Sequence, residues 1–424
     1  MNGNRKPNLF PGFTGALFLS LMLMTWPLAG IAETPDGGQP GDWLTSYRSA
    51  RSMGLGGAFT AVADQPLGML WNPAGMTQLG MNEVFVESTR LFEDTTVNGL
   101  SFVAPGTRFP TLGFSVLALR SGAFQKTNGV NDDFGSFQEK ETAFLFSASH
   151  DVASFLSVGG NLRVIRQSID EWSSSGFGFD LGAMARVTPS LRVGAALINI
   201  GGPSLTLRET NETYPTQITG GMALDLLQNR ALITAELVQV EGFDPTGRGG
   251  AEIWIGDNFA LRAGFDKTSP AGGFSFQMPN LLRIDYGAIG HELGITHRFG
   301  VSWQFGGFFA SSQADPVVFS PLGRNSTTRF HLSSNTRNDV ASWTLDIKDR
   351  SGKQVRTFGG RGTPPEQVMW DGKANTGDQL PDGSYLYHLV VSDATGHRTE
   401  SPVRTIQINT KINEVSVPIQ VGSR

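Results

Sequence analysis

Cysteine is missing from all 424 residues, which excludes a disulfide framework, a thiolate metal site, a cysteine nucleophile and a lipidated N-terminal cysteine. Charge is scarce: Asp, Glu, Lys and Arg supply 17% of the chain, against an average of about 25%. The balance is slightly acidic, with net charge -5 and a pI near 5.7. Nucleic-acid binding needs a basic footprint, so nucleic acid is excluded as a partner. Beyond the N-terminus no apolar run is long enough to cross a bilayer as a helix. Catalytic patterns are wanting too. The six histidines, His150, His291, His297, His331, His388 and His397, make no i,i+4 pair and no metal spacing. His291-Glu292 has no second histidine four residues on, and no Gly-x-Ser-x-Gly elbow occurs. The expectation is a chain that is not an enzyme, with no cofactor and no metal site.

Glycine, by contrast, is abundant at 53 residues, well above the usual roughly 7%. That suits a β-protein whose backbones approach closely. Mean hydropathy is only -0.13, but a transmembrane barrel alternates apolar and polar residues, so a bland average excludes nothing. The N-terminus reads as a secretory signal over residues 1–32. Arg5 and Lys6 are its positive start, Ala16 to Trp26 its apolar run and Gly30-Ile31-Ala32 its small-residue cleavage site. The alternative, a retained anchor, needs about 20 apolar residues, and this run is shorter. The mature chain is expected to start near Glu33.

Residues 81–305 show about fourteen segments of period-2 alternation, at the length a tilted transmembrane strand needs. They fall near 81–87, 97–104, 111–119, 142–150, 156–165, 176–187, 191–198, 217–224, 231–239, 248–256, 259–266, 271–277, 281–288 and 294–305. In the last, Ile295, Phe299, Val301, Trp303 and Phe305 share one face, which only His297 breaks. In 176–187, Phe177, Phe179, Leu181, Ala183, Ala185 and Val187 point one way, with Gly178, Asp180, Gly182 and Arg186 the other. Lipid outside and polar surroundings inside demand such a pattern. Tight connections such as 151–155, 188–190 and 257–258 alternate with long polar ones at 120–141, 166–175 and 199–216. A soluble β-sandwich also alternates, but rarely keeps this loop rhythm. The spacing predicts an all-β fold: a transmembrane antiparallel β-barrel of about 14 strands, preceded by a plug segment over 33–80. Both barrel ends would then lie in the periplasm.

The inward faces carry Arg163, Arg186, Arg192, Arg262, Arg283 and Arg298 against Asp180, Glu236, Glu252, Asp266 and Asp285. Unpaired, these charges could not occupy a dry lumen. One reading is a charged conduit; the favoured one is a solvated, mutually neutralised wall, with Arg48, Arg51 and Asp64 as plug-side partners. After Phe305 the rhythm stops. Residues 306–328 read as a linker rich in Gly, Ser and Pro, and 329–410 as a second small β-domain. Its strands are expected from Thr327 to Leu332, Ala341 to Lys348, Val355 to Gly359, Pro365 to Trp370, Gly383 to Ser392 and His397 to Gln407. Ser351-Gly352, Asp371-Gly372 and Asp382-Gly383 supply the turns, and Trp370 is read as a core anchor. The tail 411–424 fits either an edge strand or a frayed end. Asn211-Glu212-Thr213 matches a glycosylation sequon by letters only.

Ahead of the first strand stands Ser49-Ala50-Arg51-Ser52-Met53-Gly54-Leu55-Gly56-Gly57-Ala58-Phe59-Thr60-Ala61-Val62-Ala63-Asp64, then Leu70-Trp71-Asn72-Pro73-Ala74-Gly75-Met76. No strand precedes these glycines and no Lys-Ser/Thr follows, which argues against a phosphate loop. Gly54, Gly56 and Gly57 instead allow close backbone packing inside a barrel, and Asn72-Pro73 with Gly75 marks a sharp turn. The segment resembles the N-terminal signature of the PorV/PorQ-like outer-membrane family, relatives of the FadL transporters of hydrophobic compounds. Arg51, Gly54, Gly56, Gly57, Asp64, Trp71, Asn72, Pro73 and Gly75 carry the likeness, which extends over about residues 46–305. The second domain resembles the FlgD-type immunoglobulin-like module through Asp346-Ile347-Lys348-Asp349, Gly352-Lys353-Gln354-Val355-Arg356, Trp370-Asp371-Gly372, Gly377 and Leu380-Pro381-Asp382-Gly383-Ser384-Tyr385. Modules of this type add a spacer or interaction surface and carry no chemistry.

The resemblance implies an outer-membrane barrel among outer-membrane lipids, with its immunoglobulin-like sandwich in the periplasm. It further implies a role in type IX-like protein export, in which secreted cargo is received and passed to a sortase-like protease. Two alternatives stand beside it: a FadL-like passive transporter of a hydrophobic ligand, and a structural envelope protein docking through its periplasmic domain.

Overall fold

A computed structural model describes residues 41–410, apart from 46, 107–109, 129, 131, 154, 228, 257, 268, 279–280, 292–293, 323–325, 337 and 395–397. The expected signal peptide over 1–32, residues 33–40 of the expected plug segment and the tail 411–424 lie outside the described residues. Fourteen strands close into one antiparallel barrel: β1 Asn82–Arg90, β2 Thr96–Ala104, β3 Thr111–Arg120, β4 Glu139–Ala153, β5 Leu156–Ile169, β6 Trp172–Arg186, β7 Leu191–Ile200, β8 Gln217–Leu226, β9 Ala231–Val240, β10 Thr246–Ile255, β11 Phe259–Asp266, β12 Ser269–Gln277, β13 Leu282–His291 and β14 Gly294–Phe305. The last strand closes on the first, with Val84 opposite Trp303 and Val86 opposite Val301.

Alternation decides which side of the wall each residue takes. On β6, Phe177, Phe179 and Leu181 stand exposed while Gly178 and Asp180 between them are buried. On β14, Ile295, Phe299, Val301 and Trp303 do the same. An apolar band around a closed barrel has only lipid to cover it, so this wall spans a membrane.

The two rims differ. Connections after even-numbered strands are short, whereas β3–β4 and β7–β8 are joined by long segments. These segments, expected to be loops, each contain a hairpin: Phe124–Thr127 with Asp133–Phe137, and Ser204–Leu207 with Thr210–Thr213. The expected external loop 166–175 is mostly strand. Here β5 and β6 run on to a two-residue turn at Asp170-Glu171, Asp170 adopting φ 52°. Ser173, Ser174 and Ser175 pair with Ser168, Gln167 and Arg166. Beyond the lipid band nothing requires apolar alternation, so the ladder continues without the pattern that would reveal it.

A second correction concerns 306–328. This stretch holds β15 Phe309–Asp315 and β16 Val318–Phe319, so the sandwich starts only a few residues after the barrel ends. The other strands are β17 Thr328–Asn335, β18 Val340–Lys348, β19 Gln354–Arg361, β20 Gln367–Trp370, β21 Gly383–Asp393, β22 Arg398–Glu400 and β23 Arg404–Ile408. β15, β17 and β20 form one sheet. β16, β23, β21, β18 and β19 follow one another in the second, with β22 also on β21. The single strand expected from His397 to Gln407 is split, because Ser401 turns inward and Pro402 offers no backbone donor. Ser401 Oγ instead accepts from Leu389 N at 2.8 Å. Trp370 is the anchor it was read to be. Phe319, Phe330 and Tyr385 surround it, and its Nε1 donates to Lys373 O at 2.9 Å.

Candidate functional site: the plugged lumen and its mouth

The segment preceding β1 fills the barrel. It starts at the long-loop rim with α1 Asp42–Thr45, passes through α2 Ala50–Gly54, and descends through two 3-10 turns, Pro66–Leu70 and Pro73–Gln78, to the short-turn rim. Ser49 caps α2, its hydroxyl accepting from Ser52 N at 3.2 Å. Leu55, Phe59, Val62, Leu67, Met69 and Met76 are fully enclosed. Each such side chain contributes about 1.5–3 kcal/mol by leaving water.

Wall carboxylates hold the plug from the side. Glu87 accepts from Tyr47 Oη, from Ala50 N at 2.6 Å and from Arg298 Nη1 at 3.2 Å. Glu236 accepts from Phe59 N at 2.9 Å and Thr60 N at 2.7 Å. Glu252 binds Arg51 through both carboxylate oxygens, at 2.9 and 3.0 Å, and also pairs with Arg262. Arg48 pairs with Asp266, which Arg248 contacts at 3.1 Å. Arg283 bridges Asp285 at 3.0 Å and Glu83 at 3.6 Å. Arg163 and Asp180 pair at 2.7 Å with both side chains almost fully enclosed, and Asn161 Nδ2 links this pair to Met69 O at 2.9 Å.

The expectation of a solvated interior is therefore corrected: these charges are neutralised in a packed lumen, mostly by one another across the wall, with Arg48 and Arg51 of the plug joining at Asp266 and Glu252. Two residues depart from their expected places. Asp64 pairs with Arg51 within the plug rather than with the wall. Arg186, at the end of β6, is exposed at the short-turn rim, away from the enclosed network.

The plug motif packs as its residue types require. Gly56 and Gly57 take φ 65° and 84°, and a Cβ on Gly56 would strike the backbone of Phe265. Gly54 lies against Arg262 and Gly273, and Gly75 against Ala63. Trp71 meets Phe59 edge to face at 5.4 Å. Asn72 joins three backbones: its Nδ2 donates to Thr60 O at 3.0 Å and Ala183 O at 2.9 Å, and its Oδ1 accepts from Ala74 N at 3.1 Å. Pro73 lies against Gly159 and Gly182 of the wall.

Sequence reasoning missed the wall's half of this contact. Gly159, Gly182, Gly194, Gly250, Gly264 and Gly287 stand where a Cβ would collide with plug backbone or side chain. Glycine inside a strand, especially in the pairs Gly159-Gly160, Gly249-Gly250 and Gly272-Gly273, was the available signal for close approach.

At the long-loop rim the filling stops at a half-open cleft of about 290 Å³. Trp43, Met53, Leu91, Val97 and Ile289 give it apolar walls, and Tyr47, Arg48, Asp266, Ser269, Thr296 and Arg298 polar ones. The Arg298 guanidinium lies 4.1 Å from the centre of the Tyr47 ring. Trp43 Nε1 donates to Glu141 at 2.5 Å, and Tyr214 Oη donates to the same carboxylate at 2.7 Å. Among the described residues no group of His, Cys, Asp and Glu could hold a metal ion.

A family model described as the FlgD Ig-like domain matches residues 322–396, and the second domain is of that kind. No curated protein matches the chain. Among solved structures, the Pseudomonas putida toluene transporter TodX is 12% identical with a TM-score of 0.47, covering 60% of this chain and 96% of its own. The CymD monoaromatic hydrocarbon channel is 17% identical with a TM-score of 0.48, covering 61% and 97%. A Pseudomonas aeruginosa FadL homologue is 11% identical with a TM-score of 0.42, covering 60% and 97%.

Proposed function

We propose that this chain is a closed outer-membrane barrel that acts as a non-enzymatic docking component of protein export, holding secreted cargo at the cell surface for a sortase-like protease. The observation that carries the reading is the locked plug. A through-lumen path would require breaking the Arg51–Glu252 and Arg48–Asp266 contacts between plug and wall and exposing fully enclosed side chains. Leaving even one partner of a buried pair unmatched costs about 3–5 kcal/mol. A barrel so filled is suited to presenting surfaces rather than passing solutes, and the resemblance of 46–305 to PorV/PorQ-like proteins points the same way. The sandwich then serves as a spacer or envelope contact on the periplasmic side.

A second reading, passive uptake of a small hydrophobic ligand, is favoured by one feature, the cleft with its Trp43, Leu91 and Ile289 walls. The two are separated by gentle-detergent purification from native membranes, with mass spectrometry of co-purifying proteins and bound small molecules, and by conductance in planar bilayers. A silent barrel accompanied by a sortase-like protease, or by exported proteins sharing a sorting domain, is the expected result. Apolar molecules retained without protein partners, or steady ion conductance, would overturn it in favour of transport.

A further inference from the structure

The long-loop rim is lopsided. Strands β4, β5 and β6 have 15, 14 and 15 residues, whereas β8 to β13 have 8 to 10. β6 runs on through Trp172 to Gly178 past the last residue it shares with β7, where Phe179 faces Ile200. Seven residues at about 3.3 Å each raise a lip roughly 20 Å along the strand direction. The hairpin 204–213 folds over the inner face of this lip. Pro203 and Ser204 lie against Gly178 and Gly176, Thr206 N donates to Ser174 Oγ at 3.0 Å, and Leu205 and Tyr214 are buried over the plug.

Above the lip projects the hairpin 124–137, a two-stranded sheet of its own, so among the described residues each strand keeps one edge without a strand partner. Phe124 and Phe137 brace it at 5.5 Å between ring centres. Lys126 pairs with Asp170 of the β5–β6 turn, and Arg208 lies over the Trp172 ring at 5.7 Å, tying both hairpins to the lip. Val130 and Phe134 are 76% and 66% exposed, and Trp172 44%. Around them Asp132, Asp133, Asp170, Glu171 and Glu209 are exposed, five carboxylates against the two cations just named and, on the strands below, exposed Lys140 and Arg166. Lipid does not cover apolar side chains carried above the rim, and large exposed apolar side chains ringed by charge mark protein contact surfaces.

We infer that this lip and its projecting hairpin form the docking surface of the barrel, and that its partner is a protein segment carrying aromatic or aliphatic side chains flanked by Lys and Arg. Apolar contacts at Val130, Phe134 and Trp172 supply affinity. The acidic ring supplies charge complementarity, which speeds encounter and excludes acidic surfaces. The open edges of the hairpin offer backbone groups to an extended segment. The inference rests on the docking reading but adds the place and the chemistry of the partner.

The test uses the full chain in detergent micelles and two synthetic peptides that alternate Phe or Trp with Lys in one and with Glu in the other, read by fluorescence anisotropy. Three double variants are compared: Val130→Ser with Phe134→Ser, Asp132→Lys with Asp133→Lys, and, on the low side of the rim, Glu241→Lys with Asp244→Lys. Heat-dependent gel mobility first establishes that each barrel is folded. The Lys peptide is expected to bind and the Glu peptide not. Both hairpin variants should lose about tenfold in affinity, the scale of a 1.4 kcal/mol contact, and the low-side variant should match the parent. Equal weakening in all three variants, no weakening in the hairpin variants, or equal binding of both peptides would overturn the inference. Because peptide binding is scored on purified protein and the docking role on native membranes, either can fail without the other.

Discussion

Glu252 stands between two guanidiniums, Arg51 from the plug and Arg262 from the neighbouring strand, and its side chain is almost wholly enclosed. Three charges share one dry volume, so their stability depends on completeness. Replacing Glu252 with Ala leaves two buried cations facing each other, and a loss of about 3–5 kcal/mol is expected. Urea unfolding in micelles, followed by loss of the fast-migrating band on cold gels, measures it directly. An unchanged midpoint would mean that water reaches this carboxylate and that the lumen is less dry than its burial indicates. Arg163 with Asp180 is another enclosed pair, and both its members belong to the wall. Its loss should weaken the barrel without releasing the plug. Strand alternation could place Glu252, Arg262 and Asp180 on the inner face. Arg51 was expected to partner a lumen charge from the plug side, but nothing in the sequence singled out Glu252 as that partner, because the contact joins residues about two hundred positions apart.

Strands and plug meet through missing side chains. Gly264 on β11 lies where a Cβ would enter the backbone of Leu55 and Gly56, whereas Gly220 on β8 has open space at the same position. Gly264→Val should therefore push the plug out of place in a barrel that still closes, and Gly220→Val should leave it seated. Trypsin checks this at Arg51, which is only 6% exposed. Cleavage is expected in the first variant and resistance in the second and in the parent. Cleavage in neither would show that the wall can give way at β11.

The fourteen strands were legible because lipid imposes a period-2 pattern on any wall it touches. The hairpins at 124–137 and 204–213 and residues 172–175 of β6 stand outside lipid, lose that pattern, and read as loops. β15 was hidden for the same reason: Phe309-Ala310-Ser311-Ser312-Gln313-Ala314 buries only small side chains at alternate positions.

In the sandwich, His388 on β21 carries a pH effect of definite sign. Burial, and next the positive charge of Lys348, hold its pKa below the ordinary value. The unfolded chain therefore binds its proton more readily than the folded one, and stability falls as pH drops through the ordinary histidine range. Pulse proteolysis of the full chain between about pH 7 and about pH 5 should show domain cleavage rising toward the acid end. His388→Gln should flatten that dependence. An equally steep rise in the variant would assign the effect to another group.

At the scale of the whole molecule the rims define an axis. The lip and the projecting hairpin crown one rim. At the other, Phe308 N meets Gly80 O, placing the start of the sandwich beside the entry to β1. Docking at the cell surface requires the crowned rim to face outward, which leaves the sandwich in the periplasm. The absence of cysteine makes this directly measurable, since any cysteine introduced is the only one present. Val130 and Lys353 are both exposed, the first on the projecting hairpin and the second on a sandwich turn. A membrane-impermeant maleimide should label Val130→Cys on intact cells and Lys353→Cys only once the outer membrane is opened. The reverse pattern would invert the molecule, turning the lip toward the periplasm and removing the basis for a surface docking role. Labelling of both on intact cells would show that the sandwich shares the outer face, and the envelope-contact role given to it would then fall.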